Sequence, residues 1–282
     1  MICYAERGES VDAMQTISMW VKELPKRGKY TFTLQEVVEQ FPNLTKDRIY
    51  QELSRQIAKK LVKSVWRGFY AIVLHEYGLN SDIPPSEYID QLMGYLGKRY
   101  YVALLSAASM HGSSHQSPQS YMIMIEGGSL RSSAKNGVLL DFYTRKNVPQ
   151  KYIEHAISRS GTISFSGKEL TAIDLVARMN SIGGLNRVAE VLEGLAEEGL
   201  EFEKVEADFF KLSSAACIQR LGYLLDEELG YREVAAVLYS CAMEAGIQFK
   251  HTPLVPLANQ TGGSYGTQQK WKIIVNREVE VG

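Results

Sequence analysis

The chain has 282 residues, 45% hydrophobic and 22% charged, with a formal net charge of -1. That is the composition of an ordinary folded protein, long enough for two domains and unlike a disordered or fibrous one. No apolar run approaches the roughly 18 residues that cross a bilayer, and "MICYAERGESVD" lacks the regions of a secretory signal, so a cytoplasmic protein without membrane contact is expected.

Cys3, Cys217 and Cys241 are too scattered for a disulfide framework or a CxxC zinc site, and the last two sit in apolar helical text as buried hydrophobes. Charge is unevenly spread. Lys22 to Arg67 holds eleven Lys and Arg against five Asp and Glu, whereas Glu190 to Glu244 holds thirteen acids against four bases. A basic N-terminal block suggests a region that meets polyanions. The acidic stretch reads as the solvated face of surface helices.

In chain order, Val11, Met14, Ile17, Ser18, Val21 and Leu24 mark one face of a first helix over Ser10 to Leu24. Thr33 with Glu36 fits a capping box, and Phe32 with Val37 a hydrophobic staple, which start a short helix that Pro42 stops after Phe41. Thr45 caps the next helix, with Asp47 in its first turn. At about 100° per residue, Ile49, Tyr50, Leu53, Ile57 and Leu61 fall on one side of it and Arg48, Gln51, Glu52, Arg55 and Lys59 on the other. "LVKSVWRGFYAIVL" then reads as a hairpin turning at Arg67-Gly68, with Lys63, Arg67 and Tyr70 near its tip.

That order is the order of a winged helix-turn-helix domain, expected over residues 1–80. In such a domain the basic helix enters the major groove of DNA and the hairpin wing lies along the backbone. The expected DNA-contacting residues are Lys46, Arg48, Gln51, Arg55, Lys59, Lys60, Lys63 and Arg67. The cations neutralise phosphates, and Arg48, Gln51 and Arg55 are of the types that read base edges. Glu52 repels phosphate unless it reaches a cytosine amino group or pairs with Arg48 or Arg55. The alternative is a protein-interaction module whose basic face is merely solvated.

"YGLNSDIPPSEYID" reads as a linker, with a second domain over residues 84–282. Helices are expected at Ser86 to Leu96 and Tyr100 to His111, and strands at Tyr121 to Ile125, Val138 to Tyr143 and Thr162 to Ser166. Helical periodicity runs from Leu170 to Gly246, and "KWKIIVNREVEV" closes the chain as a further strand of the sheet. This is an α+β domain. His111 and His115 have metal-like spacing, but Gly112 breaks the helix between them and no third ligand is near. "EGGSLRSSAKNG" lacks P-loop spacing and reads as a hairpin loop. Asp141, Glu169 and Asp174 raise a nuclease-like alternative, an enzyme targeted to nucleic acid by the winged domain. No GxSxG, HExxH or GxGxxG occurs, so the domain is read as noncatalytic, without cofactor or metal.

The whole chain resembles the AbiEi-type antitoxins, the regulator half of bacterial abortive-infection toxin–antitoxin pairs. The resemblance is carried by the N-terminal pattern, "PSEYIDQLMGYLGKRYYVALLSAASMHGSSHQSPQSYMIMI", "KELTAIDLVARMNSIGGLNRVAEVLEGL", "IQRLGYLL" and "KWKIIVN". It implies an autorepressor that binds inverted repeats in double-stranded DNA at its own operon and counteracts a nucleotidyltransferase-like toxin, often without a stable complex. By position, Arg48, Arg55, Lys59 and Lys60 would be recognition-helix contacts and Lys63 and Arg67 wing contacts. Lys98, Arg99, Arg131, Arg145 and Lys146 would form a basic surface on the second domain. The loop "NQTGGSYGTQQ" is short of the basic residues associated with the family there.

Overall fold

A computed structural model describes residues 16–77, 83–113, 120–134, 137–256 and 266–280. Val11, Met14, Cys3, His115, Lys135, part of the expected linker and most of the "NQTGGSYGTQQ" loop lie outside the described residues. The chain divides into two units, Met1–Leu92 and Met93–Gly282, and each mixes helix with sheet, an α+β fold.

In the first unit, the Thr16 hydroxyl accepts from the Met19 backbone and starts α1 (Ile17–Glu23). Strand β1 (Thr31–Thr33) ends at Thr33, whose Oγ1 accepts from the Glu36 N–H at 3.2 Å while Glu36 Oε2 accepts from the Thr33 N–H at 2.8 Å. The predicted capping box is thus formed at the start of α2 (Leu34–Gln40), and both staple residues, Phe32 and Val37, are buried. Thr45 caps α3 (Lys46–Ala58), accepting from the Arg48 N–H at 3.4 Å. Strands β2 (Val62–Trp66) and β3 (Phe69–Ile72) pair antiparallel through the Arg67-Gly68 turn, where Gly68 takes a left-handed φ of 75°. The sheet order β1-β3-β2 makes β3 central.

That central place explains one departure from expectation. Tyr70 stands near the hairpin tip but is buried there, 6% exposed, with its ring stacked on Phe32 at 5.3 Å. All four residues of β3 are buried. Trp20 of α1 meets Phe32 edge-on at 5.4 Å and Phe41 at 6.1 Å, so aromatic contacts join α1, the sheet and the end of α2.

After α4 (Ile89–Tyr95), which spans the division, the second unit builds a mixed five-stranded sheet. It comprises β4 (Tyr100–Val102), β5 (Ser120–Glu126), β6 (Leu139–Arg145), β7 (Ile153–Ser158) and β8 (Gly161–Ser166), in the order β6-β5-β4-β8-β7. The stretch from Tyr100 to His111, expected as one helix, is strand then helix. Tyr100, Tyr101 and Val102 are strand formers buried at the middle of the sheet, paired antiparallel with β5 and parallel with β8, and α5 (Leu104–Met110) begins only afterwards. "EGGSLRSSAKNG" is not a hairpin loop either. β5 and β6 run parallel, so the chain that leaves β5 at Glu126 re-enters β6 at Leu139 beside Ser120, at the starting side of the sheet, and turns no hairpin.

Helices α6 (Lys168–Ala177), α7 (Leu185–Glu197), α8 (Ala215–Tyr223) and α9 (Arg232–Glu244) carry most of the apolar core. The closing strand does not join the five-stranded sheet. β9 (Thr252–Pro253), β10 (Gly266–Gln268) and β11 (Ile273–Val275) form a separate small sheet. Beside it the fully buried Trp271 donates its indole N–H to Asp226 at 2.8 Å and presses its ring against Gly222, where no side chain fits.

Arg145, expected on a basic surface, is a core cation. Its side chain is 14% exposed, pairs with Asp174 of α6 at 3.0 Å, and donates to the Tyr101 hydroxyl at 2.8 Å and the Leu212 carbonyl at 3.0 Å. Tyr101 in turn donates to Asp174 at 2.7 Å. Burial pushes the Asp174 carboxyl above the usual carboxylate range, and Arg145 and Tyr101 pull it back. Arg145→Met leaves that buried acid without its cation, a loss of about 3–5 kcal/mol at pH 8. An acid whose pKa rises on folding keeps its proton where the unfolded chain releases it, so stability falls as pH rises through that window. Denaturant unfolding should therefore show the variant regaining part of its loss at pH 5. A loss that is the same at both pH values would contradict this arrangement.

Candidate nucleic-acid interface

The inner side of α3 is set by Ile49, Leu53 and Gln56, which are 1%, 1% and 3% exposed. Their spacing of four and three residues places one stripe against the core. The predicted apolar side was therefore misaligned. Tyr50 and Ile57 lie one residue beyond the inner stripe, about 100° around the helix, and are 48% and 37% exposed. Polar Gln56 takes the buried place because its Oε1 accepts from the Ser18 hydroxyl of α1 at 3.4 Å. Sorting residues by polarity alone misses such a pair, and the i, i+4, i+7 spacing was its signal.

Arg48, Gln51 and Arg55 of α3 and Lys59 at its C-cap are all exposed, off the buried stripe. Glu52 lies between them with its side chain 25% exposed, and its Oε1 meets Arg55 at 2.6 Å and Arg48 at 3.6 Å. Pairing is thus the outcome for the one acid in the row. The carboxylate ties two guanidinium groups along the helix axis and offsets part of their charge, an exposed arrangement worth about 0.3–0.5 kcal/mol per pair. Lys46 occupies the first helical position, where the helix dipole disfavours a cation, and is exposed. A lysine at that end suits an approaching anion better than it suits the isolated helix.

Beyond α3, the neighbouring hairpin adds Lys63 on β2, half-buried, and Arg67 in the turn, exposed. The first unit therefore carries four exposed polar side chains on the outer face of α3, Lys46 and Lys60 at its ends, and two further cations on the hairpin packed against it.

Among its described residues, the second unit supplies no comparable row. With Arg145 in the core, Lys98 is half-buried and Arg99, Arg131 and Lys146 are exposed; Arg99 reaches Glu126 at 3.7 Å. The carboxylates weighed for a nuclease-like arrangement have separate partners. Asp141 accepts from Ser132 at 2.6 Å and Tyr143 at 2.9 Å, Glu169 accepts from the Glu201 backbone at 2.8 Å, and Asp174 is the partner of Arg145. Among the described residues, no three His, Cys, Asp or Glu side chains are grouped to hold a metal ion. His111 Nε2 lies 2.8 Å from the Ser166 carbonyl. Cys217 is buried, its thiol pushed up to about 12 by desolvation.

Residues 101–227 match the family described as AbiEi antitoxin C-terminal domain. No curated protein matches the chain. Among solved structures, the RV2827C protein from Mycobacterium tuberculosis is similar, with 13% identity and a TM-score of 0.66 over 91% of this chain and 90% of that one, a likeness of fold.

Lys60 closes α3 in a left-handed conformation, with φ 55°. The Leu61 N–H reaches back to the Gln56 carbonyl at 3.0 Å and the Lys60 N–H to Ile57 at 2.9 Å, the bonding of a Schellman end that glycine adopts most easily. A lysine there costs about 1–2 kcal/mol of backbone strain, partly offset because glycine is freer in the unfolded chain. Lys60→Gly should raise unfolding stability by about 0.5–1 kcal/mol, measured by denaturant unfolding. A variant that loses stability would show the strain argument to be wrong.

Proposed function

We propose, from the match of residues 101–227 to the AbiEi antitoxin C-terminal domain, that this AbiEi-type antitoxin of a toxin–antitoxin system represses its own operon through its N-terminal unit. In this reading the unit is a winged helix-turn-helix. α3 is the recognition helix, and Lys46, Arg48, Gln51, Arg55, Lys59 and Lys60 are its contacts. Lys63 and Arg67 hold the wing to the backbone. The single observation that supports it most is the exposed row of Arg48, Gln51, Arg55 and Lys59 on a helix whose other side is anchored in the core. Helix order and the three-stranded β1-β3-β2 sheet fit the same reading.

One such helix reads few base pairs, so two copies on an inverted repeat are needed for tight, specific binding. The second unit acts in neutralisation, against a nucleotidyltransferase-like toxin, and does so without a catalytic step of its own. No helix among the described residues is long and apolar enough to cross a membrane. We place the protein's work in the cytoplasm, at DNA, in defence against phage.

Electrostatics makes the test two-sided. Fluorescence anisotropy with the duplex upstream of its own operon should show Arg48→Glu/Arg55→Glu binding about a hundredfold or more weaker, with a shallower dependence on salt. Glu52→Gln should shift the other way. Freed of the carboxylate between them, Arg48 and Arg55 should bind any duplex about two- to fivefold tighter at low salt. Equal binding to operator and scrambled DNA by the unaltered protein, or no change in the Arg48→Glu/Arg55→Glu protein, would remove the repressor reading.

A further inference from the structure

Helix α6 ends at Arg178, and the turn Met179–Ser181 follows at once. Together with Arg220 of α8 and Pro256, these residues line a cleft of about 230 Å³ that also exposes Asn180 and Ser181. A water molecule takes up about 30 Å³, so the cleft holds a group of several heavy atoms and is far too small for a duplex.

Both guanidinium groups are held in place by only part of their donor sets. Arg178 donates one terminal nitrogen to the Thr144 carbonyl at 2.8 Å and lies 5.8 Å from the Tyr143 ring centre. Arg220 donates Nε to the Pro253 carbonyl at 3.1 Å. A guanidinium has five N–H donors and stays charged, so each fork retains donors unfilled by any described residue. Among the described residues, neither forms an ion pair with a carboxylate. Asp174, the acid that feels the charge of Arg178, is committed to Arg145 at 3.0 Å. Asp141 is bonded to the Ser132 and Tyr143 hydroxyls. Arg145, Asp174 and Arg220 all act on the Cys217 thiol, so the three arginines share one neighbourhood in which Asp174 offsets one positive charge of three.

A surplus of this kind is costly in a partly buried site unless an anion arrives. Burial lowers the pKa of Arg220 from its usual value, the mark of a cation that has lost water without gaining a counter-charge. Placement at the C-terminus of α6 accounts for Arg178 through the helix dipole. Arg220 lies in the last turn of α8, where the same helix-end argument holds, and faces the same cleft.

We propose that this cleft binds the phosphoryl group of a small phosphorylated ligand. Arg178 and Arg220 grip its oxygens from two elements, in the forked geometry that guanidinium groups offer phosphate. Asn180 and Ser181 supply neutral hydrogen-bonding groups. The site is separate from the α3 face and does not depend on DNA binding.

Isothermal titration calorimetry of the full chain with inorganic phosphate, pyrophosphate, ATP and adenosine tests it. The phosphoryl-bearing probes should bind and adenosine should not. Arg178→Gln and Arg220→Gln should each weaken binding about tenfold or more, as loss of a charge-assisted partner implies. ATP binding tighter than pyrophosphate identifies a nucleotide as the source of the group, and equal affinities identify recognition of the phosphoryl group alone; either supports the site. Arg48→Glu/Arg55→Glu should retain the binding, which separates this cleft from the basic face of α3. A thermal melt accompanies each variant, and if Arg220→Gln fails to fold, Arg178→Gln decides. Absence of binding by every phosphoryl probe, undiminished binding by Arg178→Gln, or loss of binding in the Arg48→Glu/Arg55→Glu protein would overturn the proposal.

Discussion

The first unit depends on how one helix is held. Ile49, Leu53 and Gln56 bury a single narrow stripe of α3, and that rotation turns Arg48, Gln51, Arg55 and Lys59 to solvent. A polar group in the stripe reinforces the choice. Gln56 has a partner in Ser18 of α1, and turning the helix to bury Tyr50 or Ile57 instead would forfeit that hydrogen bond. Apolar packing of Ile49 and Leu53 and the hydrogen bond of Gln56 therefore act in the same direction. Glu52 then fixes where the two arginines lie along the outer face.

Local signals in the chain were the most readable. Thr33, Glu36 and Thr45 act within three or four residues of themselves, and their caps stand where the sequence placed them. Gly68 marks the hairpin turn for a similarly local reason, its left-handed backbone. What escaped was set by distant partners. Tyr70 looks like a wing residue until β1 pairs along β3 and puts Phe32 over its ring. Tyr100–Val102 borders helical text, and only strands β5 and β8 on its two sides make it a strand. The small sheet around β11 likewise needs β9 and β10 to be seen apart from the larger one.

Charge was the least legible feature of the second unit. Arg145 follows "LLDFYT" in a strand and precedes Lys146, so it reads as one of a basic pair. The strand points it instead at Asp174 and Tyr101, residues 29 positions later and 44 earlier. Asp174 in turn was visible as a helix residue and not as a buried acid. Adjacent cations thus have opposite fates, Lys146 exposed and Arg145 nearly enclosed. Arg178 and Arg220 are 42 residues apart, and no spacing rule joins them. The two units therefore use arginine differently, as an outward row on α3 and as a core group and cleft lining around α6.

The claim on which this account rests is that the outer face of α3 is the surface that meets a DNA duplex. Amide hydrogen exchange on the full chain, free and saturated with the duplex upstream of its operon, measures that most directly. The account predicts slowed exchange confined to α3 and the β2–β3 turn, lost when salt dissociates the complex. A stable complex that leaves exchange in α3 unchanged while slowing it elsewhere would contradict it.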